Sequence, residues 1–327
     1  MIFPITFSIP NDKIVVEIPL KTKFLSNLVP GDLATYIYNT EEAYYNEYKK
    51  SLFATTYKKA GWDCMRHYEI LACGCIPYFP NIENCPSKTM YHLPKKLIIE
   101  GNKLYERISQ KLNNKYISEE LINISQRWRP NISTEVAIDI YSNLNTDIDR
   151  ISKEDLKLCY ELINKLLQYT KNNLTCCSVC KYVLSSTSNT NINSILYLSG
   201  DLRPDYLRDL MLRGFKDILK KKCYDIPKVN CLYEKNGTGG LHTIRHILEH
   251  HEHEEINNIE SRIRRKEFDI IIYGSYHRGM PYYDFISKIY KPDKIILLCG
   301  EDSHVCKAPF FSKRGHYVFV RELYFMK

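Results

Sequence analysis

The chain has 327 residues, long enough for about two domains, and its 44% hydrophobic and 26% charged residues exclude wholesale disorder. Forty-six Lys and Arg against 38 Asp and Glu leave a formal charge of +8. This mild excess suits an anionic ligand such as a nucleotide phosphate and also permits weak nucleic-acid binding. The densest basic run, Arg262 to Lys266, is short and flanked by Glu260 and Glu267, which reads as a solvated helix face.

The N-terminal segment Met1-Ile-Phe-Pro-Ile-Thr-Phe-Ser-Ile-Pro10 lacks a basic region and is broken by two prolines, so no export signal is expected. No run approaches the roughly 18 apolar residues of a membrane helix. The expected location is therefore cytoplasmic, with the 12 cysteines reduced rather than paired.

In chain order, Ile5–Ile9 reads as a short strand, followed by proline-punctuated extended segments to Pro30-Gly31. Thr40 before Glu41-Glu-Ala43 marks a helix start. Ser51–Tyr57 is a strand, Lys58-Lys-Ala-Gly61 a basic turn, 63–73 a helix and 75–79 another strand. Such β-loop-α-β units carry phosphate sites in many α/β proteins. Two long helices are expected at 101–128 and 153–170, and Ser185–Ser194 has the composition of a linker. Beyond it, strands at 195–200, 229–233, 269–274, 294–300 and 316–320 alternate with helices at 203–221, 241–266 and 282–290. Continuous apolar runs in this rhythm indicate a parallel sheet covered on both faces. The fold class is α/β, with two Rossmann-like lobes, 1–186 and 187–327, and a cleft between them.

Ligands bind beyond the carboxyl ends of the strands in an open parallel sheet, and three places there carry candidates. In the first, Gly61 permits a close turn and Asp63 can cap the following helix, whose N–H groups then face an anion. Arg66 and Glu69 share a helical face, the one suited to a diphosphate and the other to ribose hydroxyls. Spacing alone fits a surface ion pair as well.

The second place is Tyr273-Gly-Ser-Tyr-His-Arg-Gly279, where His277 could serve as general base and Arg278 as phosphate clamp, or both could be structural capping groups. The third is Cys299-Gly-Glu-Asp-Ser-His304, where Glu301, Asp302 and His304 fall beside His277 if the strands preceding them are neighbours. Asp201, after Ser199-Gly200, belongs to the same edge.

Three weaker signals are read as structure. His242, His246 and His250 are spaced four apart, but no zinc-spaced cysteine or carboxylate accompanies them. Cys177-Ser-Val-Cys180 lacks a second pair, and Asp147-Ile-Asp149 follows no strand. No metal site is expected.

Residues Ser51 to Pro77, with Arg66-His-Tyr-Glu69 followed by Ala72-Cys-Gly-Cys-Ile-Pro77, resemble the donor-binding motif of GT-B glycosyltransferases, particularly exostosin-like ones. The resemblance covers about 40 residues and implies a GT-B-like, metal-independent transferase. Its substrate would be a nucleoside-diphosphate sugar, with no cofactor, and its acceptor a hydroxyl. It implies that Glu69 binds the ribose and Arg66 the diphosphate, with Lys59 and Asp63 nearby and with Gly61 and Gly74 allowing close backbone approach. Arg278 and a base among Asp302, His277, His304 and Glu301 would come from the second lobe. The donor-like motif precedes the other lobe, the reverse of the usual order, as in a circular permutation. The alternative is a two-lobe protein that binds nucleotide or nucleic acid without turnover.

Overall fold

The structure is a computed structural model and describes residues 1–32, 35–112, 148–189, 191–234, 242–249, 258–302 and 306–323. It is α/β, with one six-stranded and one three-stranded sheet, both parallel among the described residues. Two compact units result, one of residues 11–85 and 93–172, the other of residues 1–10, 86–92 and 173–327.

The chain opens with β1 (Ile2–Pro4), which joins the sheet built by the last third of the sequence. The expected strand at Ile5–Ile9 is displaced towards the N-terminus, and of those residues Ile9 makes one isolated bridge to Thr175. Pro4 has no N–H to give and is tolerated here because β1 is an edge strand.

The smaller unit follows. β2 (Lys23–Leu25), α1 (Glu41–Lys50), β3 (Ser51–Thr55), α2 (Met65–Ala72) and β4 (Ile76–Tyr78) form two successive crossovers in the sheet order β2-β3-β4. Thr40 caps α1 as expected, its hydroxyl accepting from Ala43 N. Every residue of β3 and β4 is buried. Phe24, Phe53, Tyr78 and Tyr105 pack their rings on one side, while Tyr44, Tyr45, Tyr48, Ala54 and Ile70 form a cluster between α1 and α2. α3 (Lys95–Lys111) is anchored by Asn102, which both donates to Phe79 O and accepts from Phe79 N. It starts earlier than the expected 101 and ends at 111; residues 113–147 lie outside the described ones. α4 (Lys153–Asn173) matches the expected core-facing helix, with Cys159, Ile163, Leu166 and Leu167 buried.

The larger unit begins with α5 (Cys176–Ser185), whose Cys180 thiol donates to Met211 O in the next helix. β5 (Ile195–Ser199), α6 (Tyr206–Leu219), β6 (Cys223–Ile226), α7 (Asn230–Tyr233), α8 (Ile259–Arg264), β7 (Ile270–Gly274), α9 (Tyr283–Ile286), β8 (Ile295–Cys299), α10 (Ala308–Lys313) and β9 (Tyr317–Val320) complete it. The sheet order is β1-β9-β8-β7-β5-β6. From β5 the chain goes outward to β6 and then returns past β5 to β7, so the topological switch lies between β5 and β7.

Three expectations are corrected. The strand after α6 is Cys223–Ile226, and Val229–Tyr233 contributes a short helix instead. β6 is an edge strand whose residues alternate buried and half-buried, so it lacks the continuous apolar run used to find the others. The long helix at 241–266 reduces, among the described residues, to a 3-10 turn at His242–Ile244 and to α8, with His246 and Asn258 in the left-handed region. Finally, Ser185–Ser194 is no free linker. Asn189 donates to Asp293 O and accepts from Lys294, Ser188 accepts from the Tyr317 hydroxyl, and Asn193 N donates to Asp269. The segment is tied into the larger unit, and the chain divides at 172/173 rather than at 186/187.

Candidate functional site

The donor-like segment is built by β3, the turn after it and α2. His67 locks the turn: its Nε2 faces Trp62 O at 2.9 Å while Nδ1 faces the Thr56 hydroxyl at 2.8 Å. Asp63 does not cap α2; it is buried and accepts from the Tyr68 hydroxyl at 2.7 Å. The cap position is Cys64, with no side-chain hydrogen bond to the helix. Gly61 closes the turn through its carbonyl, which accepts from Lys59 N at 3.0 Å. Gly74, at φ +61°, serves the protein itself, because a Cβ there would meet Pro19 Cδ at 3.2 Å.

Arg66 and Glu69 are not a surface pair: they are 7% and 6% exposed. Arg66 Nη2 donates to the Tyr36 hydroxyl at 2.8 Å, whereas its Nε and Nη1, both buried, have no hydrogen-bond partner. Burial alone would favour loss of the proton, but the phenols of Tyr36, Tyr48 and Tyr44 and the Cys64 thiol hold the guanidinium charged. Glu69 Oε2 accepts from the Tyr44 hydroxyl at 2.8 Å, and the Tyr44 and Tyr48 hydroxyls are 3.2 Å apart. Desolvation, followed by the Arg66 charge, lowers the pKa of Lys59. A buried cation with two unused donors, a second cation close by and an uncapped helix start together favour an anion. Tyr36 and Tyr44 were not among the sequence candidates; Tyr44 lies on α1 and Tyr36 on the segment before it, and both pack on the cluster between α1 and α2, which local spacing does not encode.

The larger unit brings some of its candidates together and separates others. β7 and β8 are neighbours in register (Tyr273 opposite Leu297), as the sequence reading required. His277 and Glu301 converge there with Cys299, their metal-ligating atoms all within 4.8 Å of one another. Burial, opposed by Asp205 and Glu301, keeps the His277 imidazole neutral to lower pH than usual, and its buried Nδ1 has no hydrogen-bond partner. The Cys299 thiol donates to Glu301 Oε2 at 3.6 Å. Its interaction with Cys306 pushes the Cys299 pKa up and lowers that of Cys306 to about 7. Asp302 is instead exposed and ion-paired with the buried Arg321, which also donates to Gly300 O. His304 lies outside the described residues.

Arg278 is occupied by carboxylates. Its Nε donates to Asp205 Oδ2 at 2.6 Å, and Asp201 lies 3.5 Å from Nη1. Asp205 also caps α6 and accepts from the Ser275 hydroxyl at 2.8 Å. Asp201 is held by Arg203 at 2.7 Å. The switch between β5 and β7 is thus closed by an internal ion network.

The weaker signals resolve as packing. Cys177 donates to Asp217 and Cys180 is buried against α6. His242 and His246 do not share a helix, and His250 and Asp147 lie outside the described residues. Arg262 and Arg265 both pair with Glu267. No helix among the described residues is long and apolar enough to cross a membrane. Comparison with protein-family models, with curated proteins and with solved structures finds no match.

Proposed function

We propose that the chain is a GT-B-like glycosyltransferase, moving a sugar from a nucleoside-diphosphate donor to an acceptor hydroxyl. The observation that carries this reading is Arg66, almost wholly buried with two guanidinium nitrogens unused. Burying charged donors without partners is costly, and a diphosphate would satisfy both in bidentate fashion. The N-terminal N–H groups of α2 and Lys59 would add to the stabilisation of the leaving diphosphate, so donor binding requires no metal. Glu69, buried beside Arg66 on the same helix, would take the ribose hydroxyls.

Within the larger unit, His277 and Glu301 are better suited to move a proton than Asp302, which Arg321 neutralises. One observation favours the second reading, nucleotide binding without transfer: Arg278, the expected clamp, is committed to Asp205. A screen of UDP-, GDP- and CMP-sugars for release of the nucleotide separates the two. Turnover that disappears in Arg66→Met supports the transferase. Nucleotide binding without turnover supports the alternative.

A further inference from the structure

The ends of β7 and β8 place three chemically different donors in one spot. After Gly274, Ser275 adopts the left-handed conformation (φ 54°) and the chain turns through Tyr276–Arg278, which brings His277 back over the sheet edge. Cys299 ends β8, and its thiol reaches the Glu301 carboxylate two residues on, donating to Oε2 at 3.6 Å. The nitrogen, sulfur and oxygen ligand atoms lie within 4.8 Å of one another. His277 Nδ1 is buried with no hydrogen-bond partner.

We propose that His277, Cys299 and Glu301 bind a zinc-class divalent cation, with the fourth position open. A mixed N, S and O set excludes the hard cations, which take oxygen alone, and thiolate with imidazole selects zinc or a close relative. Tetrahedral zinc, with Zn–S of about 2.3 Å and Zn–N of about 2.0 Å, sets adjacent donors about 3.5 Å apart. Side-chain rotation covers the difference from the observed spread. On binding, the Cys299 thiol exchanges its proton for the metal and releases it to solvent, and the Cys299–Glu301 hydrogen bond gives way to two metal bonds. The site is independent of the donor reading, though a metal on His277 would remove that imidazole from the role of base.

The test uses the full chain, stripped with chelator and titrated with Zn²⁺ or Co²⁺. The expected result is one equivalent of zinc by elemental analysis and a cobalt derivative with tetrahedral visible bands and a sulfur-to-cobalt charge-transfer band. Cys299→Ser should remove the charge-transfer contribution of that thiol. His277→Gln and Glu301→Gln, at the half-buried edge where folding is less at risk, should each weaken zinc at least about tenfold. Cys177→Ser, remote from the cluster, should leave it unchanged. Three results would overturn the proposal: no zinc retained at micromolar concentration, unaltered zinc affinity in both edge variants with intact circular dichroism, or a Cys299–Cys306 disulfide in the purified protein. Nucleotide affinity unaffected by chelator would keep this outcome separate from that of the donor site.

Discussion

Tyr44 on α1 donates to Glu69 Oε2 on α2 at 2.8 Å, while one turn earlier Arg66 donates to Tyr36 at 2.8 Å. Arg66 and Glu69 are therefore each held by a phenol from the preceding part of the chain. Tyr44→Phe removes a hydrogen bond to a buried carboxylate, and stability should fall by about 2 kcal/mol. Urea unfolding of the two proteins measures it, and an unchanged midpoint would mean that the contact does not orient Glu69.

Arg66 should behave in the opposite sense. Two of its buried donors have no partner, so Arg66→Met exchanges an incompletely satisfied cation for an apolar chain of similar length. Stability should stay level or rise by about 1 kcal/mol, while nucleotide-dependent stabilisation disappears. A large loss of stability would instead make Arg66 a structural residue.

Two glycines separate architecture from ligand contact. Gly74→Ala places a side chain at φ +61° against Pro19 and should cost about 1–2 kcal/mol without changing nucleotide affinity. Gly200→Ala sets a Cβ 2.4 Å from Arg278 O, on backbone that cannot swing away. It should cost at least about 2 kcal/mol by forcing the β5 and β7 loops apart. Thermal midpoints and isothermal titration of both variants check the contrast.

Acid sensitivity should have a histidine component. Burial lowers the pKa of His92 to about 4, against about 6.5 in an unfolded chain. Between those values the unfolded state binds the extra proton, so stability is complete above pH 6.5 and falls as pH drops towards 4. The loss is on the order of 3 kcal/mol. His92→Gln should flatten this limb; an unchanged pH profile of the urea midpoint would contradict it.

The sequence made the parallel strands β3, β4, β5, β7, β8 and β9 visible because buried parallel strands are continuous apolar runs. It also brought His277 to Glu301, since neighbouring strand ends share an edge. β1 escaped because its partner β9 is more than 300 residues away in the chain. β6 escaped because an edge strand alternates. Asp63 was assigned to a cap that its position allowed, but the Tyr68 hydroxyl reaches it instead. Arg278 was assigned a phosphate while Asp205, 73 residues away, already neutralises it. Cys299 ended an apolar strand and so read as core, although its sulfur faces Glu301. In each case the deciding partner is distant in sequence and carries no local signal.

The most direct measurement is isothermal titration of the full chain with UDP, GDP and CMP, with and without EDTA, repeated on Arg66→Met. The expected result is binding of one nucleotide, insensitive to EDTA and weakened at least about a hundredfold in Arg66→Met, in keeping with the loss of a charged bidentate contact. Failure of every nucleotide to bind, or equal affinity in Arg66→Met, would contradict the assignment of this segment as a donor site.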